Sequence, residues 1–184
     1  MTMEMLASHI DGIKIIKPRF KTSEFSNFSD VYSENIFSQE LDINDRFIID
    51  HQVILERGTI RGIYYQLDED TQSYLVRCIK GITFFVFLDM RIDSDTYGEY
   101  FSMRVSDVDQ LQIYACEGFA MGFVAHSDQS TVLIKTNKEW NPDNCRYIIH
   151  DDPELEIDWL IPSNEINRSD KYSEAKNFDD VEKI

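Results

Sequence analysis

The chain of 184 residues carries 34 acidic against 18 basic side chains, a formal net charge of −16, with 42% hydrophobic and 12% aromatic residues. That length allows one domain with a real core, and that apolar content excludes an intrinsically disordered polymer. So negative a field repels phosphate backbones and anionic lipid, which excludes nucleic acid and membrane surfaces as partners. It leaves an anionic ligand only inside a locally basic pocket.

In chain order, residues 1–10 (MTMEMLASHI) lack a basic stretch followed by an apolar one, so no secretory signal is expected and the location is read as cytoplasmic. Segment 33–41 (SENIFSQEL) predicts a short helix with Ser33 at its N-cap. Strand signals then dominate. Segments 59–66 (TIRGIYYQ), 74–79 (YLVRCI) and 82–88 (ITFFVFL) are rich in β-branched and aromatic residues, the last two joined by a Lys80-Gly81 turn. Segments 111–115, 119–125, 131–136 and 146–149 follow, parted by turn clusters such as Asp93-Ser94-Asp95 and His126-Ser127-Asp128. A spacing of roughly 8–12 residues suits a sandwich, jelly roll or barrel. From Ser163 onward the chain turns polar and is expected to be short helical or irregular, with 174–184 (EAKNFDDVEKI) as a solubilising terminus. No linker or repeat divides residues 1–184, so a single domain is expected, and no window reaches 18 consecutive apolar residues. Cys78, Cys116 and Cys145 are odd in number, widely spaced and free of CxxC, which predicts reduced thiols.

Specific motifs run through this pattern. They are RGTIRGIYYQ (57–66), Gln72, LVRCIKG (75–81), DMR (89–91), SDTYG (94–98) and EGFAMGF (117–123). Lys135, DDP (151–153), IDW (157–159) and INRSD (166–170) continue the series in order. On these residues the chain resembles the dTDP-4-dehydrorhamnose 3,5-epimerase family. The resemblance implies an all-β cupin, a jelly-roll barrel holding a nucleotide-linked sugar, built as a homodimer with strand exchange and using no metal or organic cofactor. It also implies a chemistry. A ketone at carbon 4 acidifies the adjacent C–H bonds, a base removes a proton, a cation or donor steadies the enolate, and an acid returns a proton to the opposite face.

The departures from the family are changes of chemical type. Tyr64 stands where the family has its basic histidine, and Asp170 where a carboxylate orients that histidine. Tyr74 replaces a lysine near the ketone, Ile134 a tyrosine acid, and Met121 a histidine. Polar positions of an early strand become Ile49, His51 and Val53, and Phe25 falls near a phosphate-reaching arginine. An isoleucine cannot donate a proton, and a neutral tyrosine cannot supply a lysine's charge. Arg61, with Arg57 nearby, matches the family's anion-binding arginine positions, Gln66, Gln72 and Lys135 also persist, and Trp140 stands where an aromatic stacks on the nucleotide base.

The expected site therefore assigns catalysis to Tyr64, Tyr74 and Asp170, and substrate contacts to Arg57, Arg61, Gln66, His51, Lys135 and Trp140. Tyr64 either exchanges protons, its phenol made more acidic by Arg61 or Lys135, or fills the imidazole's volume and bonds Asp170. Of the four histidines (His9, His51, His126, His150) only His51 aligns with a pocket position, no HxH occurs, and no metal is expected. His150-Asp151-Asp152 and Asp68-Glu69-Asp70 are read as solvated, Asp89 and Arg91 as an ion pair at a strand end, and Gly118 and Gly122 as close-packing positions. The expected function is an epimerase acting at carbon 3 or carbon 5 alone, feeding deoxysugar synthesis for a surface polysaccharide or O-antigen. The alternative is an inactive paralogue that binds a nucleotide sugar or a partner protein. A weaker alternative, 3,4-ketoisomerisation, lacks the paired barrel histidines that such enzymes keep.

Overall fold

The structure is a computed structural model describing residues 3–6, 8–172 and 174–184. Its strands are β1 (Met3–Leu6), β2 (Ile13–Pro18), β3 (Lys21–Thr22), β4 (Asn27–Phe28), β5 (Ile49–Glu56), β6 (Thr59–Gln66) and β7 (Tyr74–Lys80). Then come β8 (Ile82–Asp89), β9 (Tyr100–Ser106), β10 (Gln112–Ala115), β11 (Phe119–Ala125), β12 (Gln129–Thr136), β13 (Cys145–Tyr147) and β14 (Asn167–Arg168). The α-helix α1 spans Glu34–Leu41 and follows Ser33, whose carbonyl accepts from Phe37 N at 2.9 Å. The Ser33 side chain makes no capping bond.

One sheet runs β1-β2-β10-β7-β12-β5 and the other β13-β6-β11-β8-β9, with β14 parallel beside β6. The alternation of side chains explains how they pack. On β8, Phe85 and Phe87 enter the core between the sheets, while Phe84, Val86 and Leu88 face the opposite side. Ile13, Ile15, Val76, Ile113, Val132 and Ile134 answer them from the first sheet, closing a jelly-roll barrel. Both outer faces are covered too. Helix α1 lays Phe37 and Leu41 over Ile16, Leu75 and Tyr114, and the C-terminal segment lays Leu155, Trp159, Phe178 and Val181 over the second sheet. Double coverage is why FAMGFVA of β11 is apolar throughout, since every one of its residues is buried. Each fully buried Phe contributes about 1.5–3 kcal/mol.

Two expectations are corrected here. The acidic terminus is docked rather than free: Ile184 N donates to Met90 O at 3.1 Å, Ile92 N to Ile184 O at 2.8 Å, and the Tyr65 hydroxyl to the Glu182 carbonyl. Asp152, read as part of a solvated run, is buried and accepts from the backbone of Glu154, Leu155 and Phe178 at 2.9, 3.2 and 2.7 Å. It thereby ties the tail to the turn after β13.

The Asp89–Arg91 pair is present. Buried Asp89 accepts from the Arg91 guanidinium at 2.8 and 2.7 Å and from the hydroxyls of Ser94 and Thr96 at 2.7 Å each. Burial pushes this carboxyl up, but the bonds from Arg91, Ser94 and Thr96 outweigh it and hold it below the usual range. A depressed carboxyl contributes stability above its unfolded pKa and loses it as pH falls through the folded one. Stability is therefore expected to fall as the medium is acidified below about pH 4. Asp89→Asn should cost about 2 kcal/mol or more at pH 7 and flatten that acid decline. Urea unfolding at neutral and acid pH measures both; an unchanged neutral midpoint would dismiss the network as a stabilising element.

Candidate functional site

Strict alternation along a strand sends residues three apart to opposite faces, yet Arg61 and Tyr64 of β6 line the same cavity. The ladder explains this. Tyr64 pairs with Met121 and Arg61 with Phe123, so three steps on β6 match two on β11, and the register shifts between them. That extra residue is a bulge at Gly62, and it resets the phase. Ile60, Ile63 and Tyr65 consequently pack in the outer core, while Arg61 and Tyr64 turn inward. Gly62 sits at φ +93°, and a Cβ there would lie 2.3 Å from the Met121 carbonyl oxygen, so only glycine fits.

The cavity holds about 500 Å³. On the second sheet's wall, Arg61 and Tyr64 are joined by Tyr147, which pairs with Tyr64 across β13 and so shares its face. Tyr172 reaches the same wall from the turn at Asp170–Tyr172 and meets the Tyr147 ring edge-on at 5.3 Å. The facing wall belongs to the first sheet. His51 and Val53 of β5 stand there beside Ile134 and Thr136 of β12, and His51 is the direct cross-strand partner of Ile134.

Trp140 stands at the cavity, 41% exposed, with its ring edge-on to Tyr64 at 5.6 Å. Two glutamines hold its loop. Gln72 Nε2 donates to the carbonyls of Lys138 and Glu139 at 2.7 and 3.2 Å. Gln66 Nε2 donates to Glu139 O at 3.1 Å, and its Oε1 accepts from Asn141 N at 2.6 Å. Asp70, expected to be solvated, accepts from the side-chain amides of Asn141 and Asn144 at 2.6 Å each and anchors the loop from below.

Among the described residues no carboxylate lines the cavity, in a protein that is acidic overall. Arg61 Nε is buried with no hydrogen-bond partner among the described residues. Burial pushes the Tyr64 phenol well above its ordinary value, and the nearby Arg61 charge opposes that only in part. Tyr64 therefore stays protonated, and the expectation that Arg61 makes it acidic gives way to desolvation. Tyr74 lies behind it, 1% exposed and edge-on at 6.4 Å, with a buried hydroxyl that has no hydrogen-bond partner among the described residues. Burial, then the neighbouring Tyr64, pushes its phenol up as well. Among the described residues no group of three or more His, Cys, Asp or Glu side chains is arranged to hold a metal ion, and no helix is long and apolar enough to cross a membrane.

Of the residues singled out from sequence, His51, Arg61, Tyr64 and Trp140 line the cavity together. Gln66 is buried in the loop latch rather than at the cavity wall. Lys135 follows Ile134 on β12 and so faces the other way, pairing with Asp50 at 2.7 Å. Arg57 is on the outer surface, bound to Glu165 at 3.0 Å and to the His126 carbonyl. Asp170 is exposed, and Tyr172, two residues on, lines the cavity in its stead. Tyr147 and Tyr172 were not anticipated; for Tyr147 the pairing of β13 with β6 is the signal, and for Tyr172 no local pattern exists. Gly62→Ala should lower stability by about 2 kcal/mol or more, because strain at positive φ adds to the clash. A melting temperature equal to the wild type's would mean that the bulge tolerates a side chain.

The model of the dTDP-4-dehydrorhamnose 3,5-epimerase family matches residues 7–180. A dTDP-4-dehydrorhamnose 3,5-epimerase of Methanothermobacter thermautotrophicus is 39% identical over 156 residues, 85% of this chain and 83% of its own length. Among solved structures, the enzyme of that name from Elizabethkingia anophelis superposes with a TM-score of 0.94 at 29% identity, covering 98% of both chains. The dTDP-6-deoxy-D-glucose-3,5-epimerase of Legionella pneumophila, solved in complex with dTDP-4-keto-L-rhamnose, gives 0.92 at 29% identity over 98% of this chain and 95% of that one.

Proposed function

The chain belongs to the dTDP-4-dehydrorhamnose 3,5-epimerase family, and we propose that it binds a nucleoside-diphospho-4-keto-6-deoxyhexose in the Arg61–Trp140 cavity and inverts one carbon, 3 or 5. One observation carries this reading: an arginine with no acidic partner among the described residues, in a cavity whose described lining holds no carboxylate, beside a half-exposed indole held by two glutamines. A guanidinium so placed suits a diphosphate, and an indole so placed suits a nucleobase. The Legionella relative's dTDP-linked ligand supports thymine as the base.

Tyr64 is the phenol that meets the sugar. A phenol held protonated by burial serves as a proton or hydrogen-bond donor and is a poor base. Tyr74 backs its ring from behind. Restriction to a single carbon follows from the loss of proton-exchanging groups at Ile134 and Met121, which leaves too few for two inversions.

The enzyme would act in the cytoplasm as a homodimer, supplying a deoxysugar for a surface polysaccharide or O-antigen. Support for a second copy comes from the β3–β4 hairpin, where Phe25 is 90% and Phe28 59% exposed, apolar surface that a partner subunit would cover.

Addition of dTDP should raise the melting temperature, by mass action on the folded state. Arg61→Met should weaken dTDP binding by about 1.5–3 kcal/mol, tenfold or more. Trp140→Ala should cost about 1–3 kcal/mol through lost stacking. Calorimetric titration of both variants measures these losses, and a flat response of the wild type to every nucleoside diphosphate would remove the nucleotide site altogether.

A further inference from the structure

We propose that His51 is the base of this reaction, working from the wall opposite Tyr64; the inference rests on the epimerase reading above. Inverting a carbon beside a ketone takes a proton from one face of the sugar and delivers one to the other. Two proton-exchanging groups are therefore needed on facing walls.

The cavity offers few. Among the described residues its lining contains no carboxylate, lysine or cysteine. Arginine keeps its proton, while amide, indole and threonine side chains do not accept one near neutral pH. Phenols and a single imidazole remain. Burial holds the phenols of Tyr64 and Tyr147 protonated, the latter also through its bond with Cys145, so both are donors. The imidazole is the side-chain class that takes up a proton near neutral pH.

The placement of the two groups fits the task. His51 is on β5 of the first sheet, cross-strand from Ile134, whose own side chain is inert. Tyr64 is on β6 of the second sheet, between β13 and β11. A sugar lying between the walls turns one face to the imidazole and the other to the phenol. Arg61 shares the Tyr64 wall, where its guanidinium engages the diphosphate of the same substrate.

The step balances. A His51 ring nitrogen takes the proton next to the ketone, the C–H pair forms the enolate double bond, and the carbonyl pair moves onto oxygen. The Tyr64 hydroxyl then gives its proton to the same carbon from the other face, and the carbonyl re-forms. Imidazolium and phenolate remain, and a proton passes from one to the other through water. The enolate carbon is the stronger base, so a phenol of raised pKa still protonates it, and Arg61 steadies the transient phenolate.

The test is NMR in deuterated water on dTDP-4-keto-6-deoxyglucose, with dTDP affinity measured in parallel. The wild type should incorporate deuterium at the inverted carbon. His51→Asn should lose at least about 10²-fold in exchange while binding dTDP as the wild type does, and added imidazole should restore part of the exchange in His51→Gly. Tyr64→Phe should exchange without inverting, because the base alone returns a proton to the face it came from. Exchange in His51→Asn at the wild-type rate would overturn the assignment and leave the epimerase reading standing. A wild type that binds dTDP yet exchanges nothing would overturn the reading itself, and His51 with it.

Discussion

Side chains on a β-strand alternate, so two residues three positions apart reach one wall only where the strand gains a residue. The bulge at Gly62 provides that gain, and the site depends on it. With a regular β6, inward Tyr64 would send Arg61 into the outer apolar core with Ile60, Ile63 and Tyr65, where a guanidinium without a partner is costly. The phase change lets one strand serve two cores and a cavity. Its requirement is local: a residue without a side chain, pressed against the Met121 carbonyl.

The acidic character of the chain is organised by the same economy of space. Buried carboxylates act as joints: Asp89 gathers Arg91, Ser94 and Thr96, Asp152 ties the tail to the turn after β13, and half-buried Asp70 fixes the loop under Trp140. Among the described residues the cavity lining has none. An anion meeting this protein is repelled almost everywhere and attracted at Arg61, so the net charge narrows where an anionic ligand can settle instead of forbidding it. Gln66 and Gln72 play a related part. As uncharged polar groups buried beside the cavity, they spend their hydrogen bonds on the backbone of residues 138–141 and so set where the indole stands.

Much of the fold was legible because the patterns were strong. The strands at 59–66, 82–89 and 119–125 appear where β-branched and aromatic residues cluster, and α1 begins after the expected Ser33. Strand β9 (YFSMRVS) carries a weak sequence signal because its inward Phe101 and Val105 are diluted by polar neighbours. The tail is short helical and irregular, as its polarity predicts, but its tight docking is not legible, because Phe178 and Val181 bury themselves between carboxylates that mask them in any window. In the site, motif positions point to Arg61, Tyr64, His51 and Trp140, and equally to Lys135, which alternation turns away from the wall that Ile134 lines. Tyr172 had no such signal, since its place depends on the path of the chain after β14.

By itself, then, the sequence determined the all-β class, the family, and which chemical groups were left to work with, because residue type and short-range order need no knowledge of distant neighbours. The tertiary structure decided which of those groups meet. Whether Arg57 or Arg61 enters the cavity, whether Gln66 touches ligand or backbone, and which tyrosine joins Tyr64 depend on strand register and on segments far apart in the chain. Whether Tyr64 can give up its proton depends on burial, a property of the assembled walls that no stretch of sequence contains.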